Sequence, residues 1–214
     1  MLNDSCPLAS VLPSISAVTC SEQFGQIQKL GIRMIQPVGD SGFTTDADVL
    51  NKALWTAALA AVNAEKLVFT PNIPGIVIPN SEEIKEEGGN NNTIDGIAIP
   101  VGKGTVKVTG KILNLPTSVA KQIEALAPFS NVSGATLIEA FFINEAGQII
   151  YKNDVDITGF PISNLFISSV GSEGFNKPNT HVFSFEMPGT WDKGLKIGSP
   201  LKSGTPAVWD PRKL

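Results

Sequence analysis

ATLIEAFFINEAGQIIY, residues 135–151, reads as a β-hairpin and decides the fold class. Its two flanks, Ala135–Ile143 and Gln148–Tyr151, are dense in apolar, β-branched and aromatic residues. The four between them, Asn144-Glu145-Ala146-Gly147, form a short glycine-containing turn. Downstream, Asn164–Val170 and His181–Met187 carry the same strand character. Upstream, Thr105–Leu113 sets Val106, Val108 and Gly110 in alternation with Lys107, Thr109 and Lys111, the pattern of a half-buried strand. Shorter β segments are expected at Leu67–Thr70, at Ile76–Ile78 between Pro74 and Pro79, and at Ile94–Ile99. A first strand at Ile27–Gln36 has an apolar face of Leu30, Ile32 and Met34 and a mixed opposite face. It suits a sheet with one buried side.

Helical periodicity occurs twice. Leu50, Leu54, Ala57, Ala58, Ala61 and Val62 form one apolar stripe with Trp55 at its edge. Thr45 or Asp46 would cap this helix, and Asp46 and Asp48 would complement its dipole. Pro116-Thr117-Ser118 opens a shorter helix with Val119, Ile123 and Leu126 on one face and Pro128 as its stop. The expected class is therefore α+β and β-rich: an antiparallel β-sandwich or barrel flanked by one long and one short helix. Residues 1–20 read as an N-terminal arm, because Pro7 and Pro13 forbid a continuous helix while Leu8, Val11, Leu12 and Ile15 give it something to dock. Residues 21–194 form the body. Residues 195–214, Gly/Pro-rich and unpatterned, read as a C-terminal arm.

A chain of 214 residues can bury a real core. Its apolar share of 42% is ordinary, but charged residues make up only 17%, below the usual quarter, so part of the surface is neutral or meets neighbouring subunits. A net charge of −4 with scattered Lys and Arg argues against a protein that grips nucleic acid, which needs cations to release counterions from phosphates. No apolar stretch approaches the ~20 residues of a membrane span, and Asn3 and Asp4 stand where a secretory signal would be basic. The chain thus reads as cytosolic when made, with Cys6 and Cys20 reduced by default.

Motifs of catalysis are weak. Gly39-Asp40-Ser41-Gly42 evokes a serine-protease nucleophile, but the single histidine, His181, follows the serine and Phe43 replaces the next glycine. It reads as a turn. Gly102-Lys103-Gly104-Thr105 lacks the first glycine of a phosphate loop, Ile97 standing there, and reads as a turn between strands. His181 alone makes no metal site, and neither do the two cysteines. No cofactor and no catalytic set are expected.

The run Asn80–Thr93, NSEEIKEEGGNNNT, is longer than an ordinary connection, and such loops tend to be functional or mobile. Its Glu82, Glu83, Ile84, Glu86 and Glu87 are the candidate assembly or lumen residues. In one reading it is a solvated loop. In another, Ile84 anchors it on a neighbouring subunit, or the glutamates line a channel and repel DNA phosphates.

The opening Cys6 … Cys20 followed by Phe24-Gly25-Gln26-Ile27-Gln28-Lys29-Leu30 resembles virion-associated proteins of phages and prophages of Bacteroides-like bacteria. So do the Trp-bearing Ala-rich segment, Thr70-Pro71, Gly88-Gly89-Asn90, the Ile143–Ile149 hairpin and Phe183-Ser184-Phe185-Glu186-Met187-Pro188 with Trp191. The resemblance implies a tail-tube protein. It would be a non-enzymatic virion subunit, assembled in the host cytoplasm into stacked, hexameric rings, with other virion proteins as partners, no membrane, and DNA passing without specific binding. A capsid decoration protein, a head–tail connector and a fibre-base protein are alternative virion roles. A carbohydrate-binding or adhesin-like β-domain is the alternative from another class, for which Trp55, Trp191 and Trp209 look too dispersed.

Overall fold

Alternating apolar residues build an antiparallel sheet of nine strands in the computed structural model, which describes residues 24–37, 42–86, 98–130, 137–172, 174–201 and 208–214. Strands β1 (Ile27–Met34), β2 (Leu67–Phe69), β6 (Ile138–Asn144), β7 (Ile149–Asn153), β8 (Ile157–Thr158) and β11 (Leu195–Gly198) form the first layer. Strands β5 (Val106–Leu113) and β10 (Thr180–Met187) form the second, and β9 (Phe160–Ile167) belongs to both. A separate two-stranded sheet joins β3 (Glu83–Glu86) and β4 (Ile99–Lys103).

The fold turns over at β9. Phe160, Pro161 and Ile162 pair with Ala140, Glu139 and Ile138 of β6. Ser163, Phe166 and Ile167 pair with β10 instead. Asn164 sits at the crossing with φ of +52°, a left-handed conformation that asparagine tolerates well, and its side-chain amide donates to Glu186 Oε2 at 2.8 Å. One strand thereby serves two sheets, as at the corners of β-sandwiches. The path ends at β5 and β11, which are not paired with each other, so the sandwich form holds and the barrel does not close.

Between the two layers lies the main core, with Leu30, Ile32, Val108, Ile138, Phe142, Phe160, Phe183 and Phe185 among its members. Phe142 and Phe160 stack at 4.9 Å between centroids. The predicted hairpin is β6–β7. Its turn closes through the Gly147 N–H donating to Asn144 O at 3.0 Å, and Gly147 has the positive φ of +69° that this turn requires. Helix α3 (Thr117–Glu124) buries Ile123, as its spacing predicts. Pro128 does not end the helical region. It lies in a further turn, α4 (Ala127–Ser130), at an early position where its missing N–H removes no bond.

Sequence and structure part company on the other face of the first layer. The mixed face of β1 is buried too: Lys29 and Arg33 are both among the buried residues. A second core of Phe43, Val49, Trp55, Leu67, Phe141, Tyr151 and Trp209 covers it. The expected single helix is two, α1 (Asp46–Val49) and α2 (Lys52–Ala60). Thr45 caps α1 and Asp48 closes the capping box, its carboxylate held below the usual range mainly by the Thr44 hydroxyl. Asn51 then caps α2 as a new start. The break releases two carbonyls to indole donors: Trp55 Nε1 donates to Val49 O at 2.8 Å and Trp209 Nε1 to Leu50 O at 2.7 Å. Restarting the helix changes its phase. Trp55 is fully buried rather than at the edge and Ala57, assigned to the stripe, is exposed; Val62, also assigned to it, is 97% exposed because α2 ends at Ala60 before reaching it. Gly31 leaves room for this arrangement, since a Cβ there would lie 3.0 Å from the Phe69 ring and 3.5 Å from that of Trp55.

The described part of 195–214 is not a free arm. Leu195–Gly198 pairs with Tyr151, Ile150 and their neighbours on β7. Trp209 is only 6% exposed, Lys29 Nζ donates to Leu214 O at 2.7 Å, and Arg212 Nη1 donates to Glu145 O in the hairpin turn. Tertiary contacts override a local sequence that carries no periodicity. The N-terminal arm with Cys6 and Cys20 and the turn residues 39–41 lie outside the described residues.

Inside the second core, Arg33 and Glu139 stand opposite each other in the β1–β6 register, with Nε donating to Oε1 at 2.6 Å. The Arg33 guanidinium lies 5.2 Å from the Phe43 ring centre and 5.0 Å from that of Phe141. Burial pushes the Glu139 carboxyl up, and Arg33 with the Gly159 backbone N–H pulls it back. Arg33→Met alone should cost about 3–5 kcal/mol, because it strands a buried carboxylate, while Arg33→Met with Glu139→Leu should recover most of that loss. Urea denaturation of the two variants checks this. Trp209→Ala should cost about 3–5 kcal/mol by the same assay, against well under ~1 kcal/mol for a residue on a detachable arm.

Candidate functional site

The acidic run does not remain a loop. Glu83, Ile84, Lys85 and Glu86 form β3 and pair with β4, Glu83 opposite Lys103, Ile84 opposite Gly102, Lys85 opposite Pro100 and Glu86 opposite Ile99. The register shift between Ile84 and Lys85 leaves Val101 as the extra, unpaired residue of a bulge. Pro100 can occupy this strand because the two-stranded sheet is all edge. Glu87 lies outside the described residues, so the structure brings together four of the five candidates: Glu82, Glu83, Ile84 and Glu86.

Every residue of β3 and β4 is exposed. Ile84 and Ile99 are each 49% exposed and Val101 60%, so the hairpin offers apolar side chains as well as carboxylates. The sequence pointed to Ile84 alone. Ile99 and Val101 escaped because their strand is interrupted by proline and glycine and looked like the end of a preceding segment. At its root the hairpin is fastened by the Gly104 N–H, which donates to Glu82 O at 2.7 Å, and by Lys103 Nζ 3.8 Å from Asp192 Oδ2. The exposed Lys85–Glu83 pair at 2.9 Å adds little to stability.

A second surface faces outward from the β5–β10–β9 layer. Lys107, Thr109, Lys111 and Leu113 are the exposed positions of β5. Val182 pairs with Lys111 across the strands, and Phe166 pairs with Ser184, which in turn pairs with Thr109. Leu113, Phe166 and Val182 are exposed large apolar residues on this face, which carries Lys107 and Lys111 with Glu186 opposite Lys107.

His181 is buried near the start of β10, with Nδ1 2.8 Å from Ser168 O. Among the described residues, no group of three or more His, Cys, Asp or Glu could hold a metal ion, and no helix is long and apolar enough to cross a membrane.

Comparison with known protein families, with curated proteins and with solved structures finds no match.

Because every residue of its two strands is exposed, the hairpin should be near neutral for the fold. Ile84→Ser with Val101→Ser should move the unfolding free energy by no more than ~0.5 kcal/mol, as thermal denaturation of the dilute chain will report.

Proposed function

We propose that this chain is a structural subunit of a bacteriophage virion, of the tail-tube type, which self-assembles by head-to-tail contacts between copies into rings and stacks of rings. The observation that carries this reading is the β3–β4 hairpin. A lone two-stranded sheet is marginal in water, yet this one projects its open edges, three large apolar side chains and its glutamates into solvent. A neighbouring copy supplies what the hairpin lacks. The outward face of β5, β10 and β9 is its complement, with Lys107 and Lys111 for the glutamates and Leu113, Val182 and Phe166 for the aliphatic residues. A contact between unlike surfaces propagates, closing into a ring or extending as a stack. The low charged fraction of the chain fits a protein whose surface is shared among copies. Hexameric order, assembly in the host cytoplasm and passage of DNA along the bore follow from the tail-tube resemblance in the sequence.

The purified full chain, imaged by negative stain, should form rings or tubes of uniform diameter; a persistent monomer across the concentration range overturns the reading. Glu83→Lys with Glu86→Lys should block assembly without changing the fold, and adding Lys107→Glu with Lys111→Glu should restore it. If replacing Glu82, Glu83, Glu86 and Glu87 by Gln leaves rings intact and alters DNA passage alone, the hairpin faces the bore and not the next copy.

A further inference from the structure

Beside the root of the hairpin lies a cleft of about 570 Å³, within the roughly 300–1,000 Å³ range of small-molecule sites. Ile27, Ile76 and Ile78 form its apolar floor. Trp191 makes one wall and Phe24 stands beside it, their ring centres 5.8 Å apart. Phe160 meets Trp191 edge-on at 5.5 Å, so the indole is fixed by two aromatic neighbours and loses little freedom when something lies against it. Around the rim stand Asn80, Ser81, Lys103 and Asp192.

We infer that this cleft binds a neutral sugar unit, with the pyranose ring against Trp191 and its hydroxyls on Asn80, Ser81, Lys103 and Asp192. A sugar ring has a flat face of C–H bonds and a rim of groups that both donate and accept. The cleft answers both. Asn80 and Ser81 can each donate and accept, Asp192 accepts and Lys103 donates. Charge selects against other small molecules. Among the described lining residues the cation Lys103 is matched by the anion Asp192, 3.8 Å away, so the lining itself offers an anionic ligand no surplus of positive charge. Glu82 and Glu83 follow Ser81 directly and repel phosphates, which disfavours nucleotides. The polar rim disfavours a lipid chain. The cleft adjoins the hairpin, since Lys103 ends β4 and its pairing with Asp192 fastens the hairpin root, but the sugar reading does not rest on the contact between copies.

Tryptophan fluorescence of the full chain reads the cleft selectively, since Trp55 and Trp209 are buried and Trp191 is the partly exposed indole. The probes are glucose, galactose, N-acetylglucosamine and their β-1,4-linked disaccharides. At least one should give a saturable change in the millimolar range. Asn80→Ala and Asp192→Ala should each weaken that binding roughly tenfold, the loss of about one hydrogen bond, with the unfolding midpoint unchanged. Trp191→Phe, which keeps an aromatic wall, should bind more weakly but measurably by calorimetry. No saturable change with any probe at tens of millimolar, or binding that these variants leave intact, overturns the inference. So does a block of ring formation by Asn80→Ala or Asp192→Ala without sugar binding in the parent, which would make the cleft a contact between copies.

Discussion

Everything in this molecule is arranged around one strand that has no surface. All seven residues of β6 are buried. One edge bonds to β1 along its length, and the other divides between β9 and β7. One face looks into the sandwich through Ile138, Ala140 and Phe142, the other into the helical layer through Glu139 and Phe141. A strand in that position can carry a charge only if a partner is built opposite it. Arg33 on β1 is that partner, and two aromatic rings close over the pair. The pair gives little net stability over an apolar replacement, but it favours one alignment, since slipping β1 by a residue would separate the charges and swing Leu30 and Ile32 away from the sandwich core.

This also explains which parts of the fold were legible in the sequence. The β6–β7 hairpin, β5 and β10 follow from alternation and turn chemistry, because each is held mainly by neighbours of the same sheet; β9 was legible only from Asn164 onward, and its Phe160–Ile162 half, which pairs with β6, was not. The second core was hidden. Lys29 and Arg33 look like solvent residues, and only distant partners, Glu139 and the carbonyl oxygens of residues 212 and 214, make them interior. The helix was placed correctly but in the wrong phase, because Asn51 looks like an interior residue until the two indoles claim the carbonyls before it. Gly/Pro-rich composition concealed β11 and Trp209 for the same reason: what fixes them lies far away along the chain.

The candidate site was legible as a place and not as a shape. Glutamates, glycines and asparagines between two apolar segments predict a long excursion, and its described part, Glu83–Glu86, is a strand. Its folding back into a β-hairpin depends on Ile99–Lys103, five residues whose proline and glycine disguise a strand. The cleft at its root was invisible, since Phe24, Asn80, Lys103 and Trp191 come from four separated segments. The rigid, doubly covered β6 and the fully solvated hairpin thus occupy opposite extremes of one small protein: the first specifies the fold, and the second leaves its bonding capacity open to other molecules.

The bond from Trp209 to Leu50 spans 159 positions of the chain. Contacts of that separation are slow to form, because a long loop must close before it is rewarded. During synthesis Trp55, Phe69 and Phe141 therefore stand ready well before the indole that roofs them emerges from the ribosome. A polypeptide cut short near residue 200 would carry that aromatic nest uncovered, a sticky surface of the kind chaperones hold and proteases remove.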